Sequence, residues 1–284
     1  MAALPSLKNN KDRDMTSLLR VLGCSGGIGA DLRTTSFLLD QDILIDAGTG
    51  VGDLSLDALK NIHQVFLTHS HLDHICSLPF MADAVGAARL AANSPPLEVY
   101  GIPETINALK NHVFNDVIWP DFTKLPSTQN PFISLHPMEI GQTIDISQNG
   151  QKRLITALPV DHSIPAIAYA IASDAGTLVF SGDTGASEKF IAVLNQLPSL
   201  DHLLIETSFN NSEESLARLT GHLSPRLLLE ELCKLKHANT KIWISHLKPD
   251  GGLSIFDEII NSPIAQESFN GAIKDLRRNQ AIDF

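Results

Sequence analysis

Four side chains that can bind metal ions lie within six residues of this sequence, directly after an apolar run typical of a β-strand, Val65–Thr68. The motif reads His69-Ser70-His71-Leu72-Asp73-His74. Residues two apart in an extended chain face the same side, so His69, His71 and Asp73 can converge while His74 points elsewhere. Imidazole and carboxylate groups suit zinc, manganese or iron. The motif therefore indicates a binuclear metal site rather than a polar loop rich in histidine.

Further metal-binding residue types follow three later strand-like runs, and they are His162, Asp183 and His246. Alone, each could be a turn residue or a structural histidine. Asp183 follows a glycine, which lets the backbone approach closely, and its two oxygens can bridge two cations. We expect two divalent ions, with Zn²⁺ favoured and Mn²⁺ or Fe also compatible. The ligands are assigned as His69, His71 and His162 for the first ion, Asp73, His74 and His246 for the second, and Asp183 for both.

The elements that must position these residues alternate between strand-like and helix-like segments. Strand-like runs cover 18–23, 36–39, 43–45, 64–68, 97–100, 153–157, 166–171, 177–180, 202–205 and 241–245. Helix-like segments cover 54–60, 75–92, 103–112, 188–196 and 225–235. This order predicts an α/β protein in which two mixed sheets pack face to face and helices cover the outside.

Length and composition fit one globular domain over residues 1–284. The chain has a mass of 30.8 kDa and 43% hydrophobic residues, which is ample for a packed core. We expect residues 1–16 to be a flexible N-terminus. The segment 113–137 contains four prolines and is expected to be an active-site lid or an insertion.

The charge balance limits the partners that the protein can bind. Lys and Arg number 21 against 32 Asp and Glu, which gives a formal net charge of −11. This balance argues against binding long nucleic acid through its phosphates but is compatible with a small anionic ligand held by metal. Because no run is apolar enough to cross a membrane and the N-terminus is polar, we expect no membrane association and a cytoplasmic location.

The ligand pattern of His-x-His-x-Asp-His followed by separated His, Asp and His resembles the metallo-β-lactamase superfamily, an αββα sandwich with its metals at one edge. Within that superfamily the sequence is similar to the class II 3′,5′-cyclic-nucleotide phosphodiesterases. The resemblance covers nearly the whole chain. Its motifs are the segment 112–122, which includes Phe114-Asn115 and Ile118-Trp119-Pro120, Ile205-Glu206-Thr207-Ser208-Phe209, Gly221-His222-Leu223-Ser224-Pro225 and Ser245-His246-Leu247-Lys248-Pro249.

The resemblance implies hydrolysis of cyclic AMP, and of cyclic GMP as a further substrate, to 5′-nucleotides by a hydroxide that bridges the two metals. His222 would protonate the departing 3′-oxygen, steadied by Glu206, and Asp73 would complete the catalytic set. Asn115, an aromatic wall from Phe114 or Trp119, and Lys248 would bind the substrate. The resemblance also implies a homodimer.

Two other functions remain open at this point. A tRNA 3′-processing endonuclease of the same superfamily would share the metals and the His222–Glu206 pair, although the acidic chain lacks an evident basic arm that could grip tRNA. An inactive metal-binding scaffold would keep the ligands without turnover.

Overall fold

The computed structural model describes residues 16–269 and 271–284. The expected flexible N-terminus falls almost entirely on residues 1–15, outside the described part. The strands, in chain order, are β1 (Leu18–Gly23), β2 (Ser36–Leu39), β3 (Ile43–Ile45), β4 (Gln64–Phe66), β5 (Leu97–Gly101), β6 (Pro126–Ser127), β7 (Asn130–Pro131), β8 (Ile133–Pro137), β9 (Thr143–Asp145), β10 (Leu154–Pro159), β11 (Ile167–Ala172), β12 (Thr177–Phe180), β13 (His202–Glu206), β14 (Lys241–Ser245), β15 (Ile273–Asp275) and β16 (Ala281–Asp283).

Two seven-stranded sheets form the centre of the described structure. The first has the order β16-β1-β2-β3-β4-β5-β8, and the second has the order β15-β14-β13-β12-β11-β10-β9, while β6 and β7 form a separate ribbon. Each sheet is parallel over part of its width, namely β3-β4-β5-β8 in the first and β12-β13-β14-β15 in the second. The sheets are therefore mixed, as the sequence predicts.

Helices cover the outer faces of both sheets. In chain order they are α1 (Leu56–Lys60), α2 (Leu72–Ile75), α3 (Ser77–Ala91), α4 (Pro103–Ala108), α5 (Glu188–Leu194), α6 (Glu214–Thr220), α7 (Pro225–Leu232), α8 (Gly252–Ile260) and α9 (Pro263–Ser268). Helix α7 shows why such a segment becomes helical, because Pro225 takes the first position, where its missing N–H costs nothing, and Leu228 and Leu232 turn to the sheet.

Three buried clusters match this four-layer arrangement. Phe37, Phe66, Tyr169 and Phe180 belong to the cluster between the two sheets. A second cluster joins the first sheet to residues of α1 and α3, and a third joins the second sheet to α5, α7, α8 and α9. The predicted αββα sandwich is confirmed.

The segment 113–137 differs in part from the expected lid. Ile133–Pro137 is strand β8, which pairs in parallel with β5 at the margin of the first sheet. The prolines beside and within this strand are typical of loops, so the sequence does not predict a strand here. An edge strand nevertheless tolerates proline. The end of the segment is thus part of the scaffold.

Strand direction decides where the functional loops lie. Strands β10 and β12 both run antiparallel to β11, so they point the same way as the parallel strands β13 and β14. Their carboxyl ends meet those of β3 and β4 at one edge of the sandwich. No helix in the described ranges is long and apolar enough to span a bilayer.

Candidate metal centre

The predicted ligands converge at this edge in two groups. One ligand atom from each of His69, His71, His162 and Asp183 lies within 4.8 Å of the others, and the same holds for Asp73, His74, Asp183 and His246. Asp183 belongs to both groups. The grouping is the one assigned from the sequence, while the metal-binding role of each residue stays a prediction.

The local path of the first motif differs from the fully extended chain that the sequence analysis assumes. His71 is extended, with φ −63° and ψ 145°, and directly precedes helix α2. Asp73 and His74 lie in that short helix. The ligands of the two groups are thus separated by a change from extended to helical backbone. They are not separated by the alternation of side chains along an extended strand.

Asp46, at the end of β3, fixes the ring of His74. Its carboxylate accepts hydrogen bonds from His74 Nδ1 at 2.7 Å and from the Thr68 backbone N–H at 2.8 Å. His74 Nε2 is then turned into the cluster, where it is buried 3.3 Å from Asp183 Oδ1 without the geometry of a hydrogen bond. A buried nitrogen left without a partner is costly. The position of His74 Nε2 therefore fits a site in which this nitrogen binds a cation.

The other histidines are held in a similar way. His162 Nδ1 donates to the Gly221 carbonyl at 2.8 Å, which leaves Nε2 for the cluster. Gly221 has φ +70°, and a Cβ there would lie 2.6 Å from the Ser163 nitrogen, so only glycine allows this approach. Thr68 Oγ1 contacts His69 Nδ1 at 3.0 Å. The sequence does not predict these supporting roles, although Gly221 directly precedes His222 in the motif Gly221-His222-Leu223-Ser224-Pro225.

Two residues of this edge have a left-handed backbone without being glycine. Asp46 has φ 57° and His246 has φ 60°. Gly182, before Asp183, has φ +59°, and a Cβ there would lie 3.0 Å from Thr68 Cβ. The close approach expected of this glycine is present.

Burial sets the charge state that metal ligands need. It lowers the pKa of His69 well below its usual value and that of His246 to about 4, which favours the neutral imidazole. Burial acts in the opposite direction on Asp183, but the neighbouring His246 and His74 outweigh it and hold the pKa of this carboxyl well below its usual range. His69 and His246 are thus held in the neutral form that binds divalent cations. His74 differs, because Asp183 and Asp46 outweigh burial and raise the pKa of its imidazole well above the usual value.

His222 and Glu206 form a buried pair beside the cluster. His222 Nδ1 lies 2.6 Å from Glu206 Oε1, and Glu206 also accepts from the Thr184 backbone N–H at 3.1 Å. The His222 ring is 4.9 Å from that of His162 and 5.6 Å from that of His246. Burial opposes the charged imidazole, but the charge and hydrogen bond of Glu206 outweigh it and raise the pKa of His222. The pair can hold a proton next to the two ligand groups.

Three residues that the sequence analysis assigns to substrate binding make other contacts in the structure. Phe114 is 1% exposed within the core, so its ring cannot be a wall for a purine, and this prediction is wrong. The Asn115 side chain is engaged by its own turn, since it accepts from the Val117 and Ile118 backbone N–H groups. Trp119 packs against Phe80, with ring centroids 5.1 Å apart. The family motif here builds a turn.

Lys248 remains close to the centre. It follows His246 by two residues, its Nζ lies 3.4 Å from the Gly26 carbonyl, and Gly26 itself packs against His246. Its predicted role in substrate binding stays a prediction.

Comparison with known proteins follows the same pattern. The family model of class-II cAMP phosphodiesterases matches residues 54–281. A Yersinia pestis protein named "Probable 3′,5′-cyclic-nucleotide phosphodiesterase" is 26% identical, over 80% of this chain and 77% of its own. The 3′,5′-cyclic-nucleotide phosphodiesterase 1 of Saccharomyces cerevisiae is 27% identical over 63% of this chain, which spans about half (52%) of that relative. A ribonuclease Z of Clostridium novyi is 30% identical over 52% of this chain and 48% of its own.

Solved structures support the fold. Unliganded yeast PDE1 superposes with a TM-score of 0.77 at 21% identity, over 95% of this chain and 100% of that one. The metallo-β-lactamase fold protein YhfI of Bacillus subtilis gives 0.70 at 18% identity, again over 95% and 100%. The chain therefore belongs to the class-II cAMP phosphodiesterases, which confirms the family and the enzyme class predicted from the sequence, a metal-dependent phosphodiesterase.

Proposed function

We propose that this protein hydrolyses 3′,5′-cyclic nucleotides, cyclic AMP first and cyclic GMP as a further substrate, to 5′-nucleotides at a centre of two divalent ions. The observation that carries the proposal is the pair of ligand groups sharing Asp183 next to the His222–Glu206 pair. The names of the relatives support a cyclic nucleotide as the substrate. The cytoplasmic location and the homodimer stay predictions.

The residues fit two ions through the unpartnered His74 Nε2 and the mixed imidazole and carboxylate donors. His69, His71 and His162 would hold one ion, Asp73, His74 and His246 the other, and Asp183 both. Zn²⁺ is favoured by this donor set, with Mn²⁺ and Fe compatible. When bound, the two ions would supply an activated water at neutral pH and neutralise charge on the phosphoryl oxygens.

The chain itself would supply the proton for the leaving group. Hydrolysis to a 5′-nucleotide breaks the bond between phosphorus and the 3′-oxygen, which must be protonated as it departs. His222 donates Nδ1–H to Glu206, so Nε2 is the atom free to carry the second proton to that oxygen. Glu206, fixed by the Thr184 N–H, keeps the ring oriented and stabilises its positive form.

A product assay tests this function. Purified full-length chain with Zn²⁺ or Mn²⁺ is incubated in parallel with cyclic AMP, cyclic GMP, bis(p-nitrophenyl) phosphate and precursor tRNA. We expect 5′-AMP as the main product and cleavage of cyclic AMP far faster than that of tRNA. Formation of 3′-AMP would contradict the role of His222, and faster cleavage of tRNA would favour the ribonuclease Z function that one relative carries. No turnover of any ester would favour the scaffold.

His222→Ala separates the proton donor from the metal ligands. We expect a fall in kcat for cyclic AMP of about 10²–10⁴-fold, with metal content retained. His112→Ala, at an exposed position on the outside, is the matched control and should keep full activity. Loss of metal in the His222 variant would instead identify this residue as part of the metal site.

A further inference from the structure

Three cavities lie along the edge that carries the metal ligands. The His162 cavity is about 480 Å³ and is bordered by Glu104, Glu139 and Ile140. The Arg218 cavity is about 310 Å³ and is bordered by His222 and Leu219. The lysine cavity, at the end formed by β1, β14 and β15, is about 600 Å³. None of the three is lined by the segment 113–137.

The lysine cavity has the walls that a purine needs. A volume of this size is typical of small-ligand sites, which combine apolar walls with a few polar groups. Phe256 is half-buried and Leu253 is 86% exposed, so both side chains are available to a ligand. The apolar lining residues are Leu32, Leu247, Leu253, Phe256, Ile260 and Leu276.

Charge also distinguishes the lysine cavity from the other two. Within the described ranges Lys248 forms no ion pair, whereas Arg33 and Arg278 are both held by Asp53 and Arg277 is held by Asp275. In the Arg218 cavity, Arg218 is paired with Glu214. In the His162 cavity, Lys189 is paired with Asp161, and two glutamates remain beside it. The lining of the lysine cavity carries four basic side chains, Arg33, Lys248, Arg277 and Arg278, against three acidic ones, Asp31, Asp257 and Asp275. Acidic groups outnumber basic ones in the His162 cavity and balance them in the Arg218 cavity, so an anionic nucleotide is attracted best by the lysine cavity.

A short path of side chains connects this cavity to the proton donor. Lys248 Nζ lies 6.0 Å from the centre of the Phe209 ring, and that ring lies 5.8 Å from the His222 ring. Lys248 also lies two residues after His246 along the chain. A ligand reaching from the cavity to the metals would pass the Lys248 ammonium.

We propose that the nucleoside of the substrate binds in the lysine cavity, with the purine between Phe256 and Leu253 and the Lys248 ammonium beside the phosphoryl group. The proposal rests on the proposed function and adds the site that recognises the nucleoside. The 3′-oxygen then lies between the cavity and His222, where the proton is needed. Lys248 and Phe256 would bind the substrate, and the metals and His222 would act on it.

Three exposed apolar residues, one at each cavity, give a matched test. Leu253→Ala in the lysine cavity should raise KM for cyclic AMP about fivefold to tenfold. Ile140→Ala in the His162 cavity and Leu219→Ala in the Arg218 cavity should leave KM as in the wild type. These side chains are 86%, 56% and 80% exposed, so all three variants should fold.

Phe256→Ala and Lys248→Ala extend the test. Phe256→Ala should lower kcat/KM for cyclic AMP at least about tenfold more than for bis(p-nitrophenyl) phosphate, which has no nucleoside. Lys248→Ala should lower kcat/KM for both esters, because both carry the phosphoryl group. Lys248→Arg should recover most of the loss, because it keeps the positive charge. A larger KM effect of Ile140→Ala or Leu219→Ala than of Leu253→Ala, or equal losses of Phe256→Ala on both esters, would overturn the proposal.

The two proposals fail in different ways. A wild-type protein that cleaves bis(p-nitrophenyl) phosphate but neither cyclic AMP nor cyclic GMP would refute the proposed function. A wild-type protein that cleaves cyclic AMP with a KM insensitive to Leu253, Phe256 and Lys248 would refute only the assignment of the lysine cavity.

Discussion

Two buried polar clusters at opposite ends of the sandwich follow different rules. At the end away from the ligands, Arg153 makes a two-pronged ion pair with Asp42, at 2.6 and 3.0 Å, and its remaining N–H groups reach the Ile146 carbonyl. At the ligand edge, His74 Nε2 is buried without a partner among the described residues, and carboxylates and imidazoles converge with no basic side chain between them. The first cluster satisfies its own hydrogen-bonding groups, and the second gathers donor atoms that fit divalent cations.

The difference shows how to separate a structural polar cluster from a functional one. A self-satisfied cluster contributes to folding, and its removal should change stability with little effect on chemistry. An incomplete cluster contributes to binding, and its removal should abolish chemistry with little loss of stability. Three predictions compare the two clusters, and a fourth concerns a buried histidine that belongs to neither.

Asp183→Ala should have the largest effect. The wild type should bind about two divalent ions per chain, and the variant should lose the bridge and all turnover of cyclic AMP while keeping its fold. Elemental analysis, circular dichroism and the product assay measure these properties. Asp83→Ala, at an exposed position of α3, is the control. A single ion in fully active wild-type protein would refute the binuclear assignment.

Arg153→Met should give the reverse result. Removing the guanidinium leaves two carboxylates, Asp40 and Asp42, without their partner and should lower the free energy of unfolding by about 3 kcal/mol. Urea unfolding measures the loss, and kcat per folded molecule should stay at the wild-type value. The exposed Arg20→Met is the control. A loss of kcat without loss of stability would show that the two ends of the sandwich are coupled.

Asp46→Asn tests the support beneath the metal ligands. The amide keeps an acceptor for His74 Nδ1 but loses the charge that strengthens this bond. Metal affinity should fall by about 10–100-fold, as is typical when the partner of a ligating histidine is changed. Competition with a chromophoric chelator measures the affinity. An unchanged affinity would show that the ligating ring needs no charge behind it.

His202 provides a buried histidine outside the metal centre. Burial lowers its pKa to about 4, and its Nδ1 accepts from the Trp243 indole N–H at 3.0 Å. The unfolded chain therefore binds more protons below pH 6.5, so stability falls as the pH drops from 6.5 towards 4. His202→Asn should reduce this loss, by about 1–2 kcal/mol at pH 5 in metal-free protein. Parallel acid dependence of variant and wild type would contradict the prediction.

The convergence of the predicted ligand residues could be foreseen from the sequence because each follows a strand, and strands that run the same way end at the same edge. The substrate contacts could not, because the burial of Phe114 depends on packing against residues distant in sequence and the Asn115 side chain is engaged by its own turn. Strand β8 and helix α8 were missed for a related reason, since prolines and glycines at their ends are typical of loops. The contacts of Gly221 with His162 and of Thr68 with Asp46 could not be predicted from the sequence, because each joins segments that are far apart along the chain.

The left-handed backbone of Asp46 and His246 affects both thermal stability and activity. Glycine would adopt these angles without strain, and relief of that strain is worth about 1 kcal/mol at such a position. Selection for heat resistance alone should therefore favour glycine at His246 and delete a predicted metal ligand, whereas at Asp46 the loss of the buried hydrogen bonds to Thr68 and His74 would outweigh the gain. Heat resistance and catalysis would therefore favour different residues at His246. A stabilised form of this enzyme has to obtain its gain in stability elsewhere in the fold.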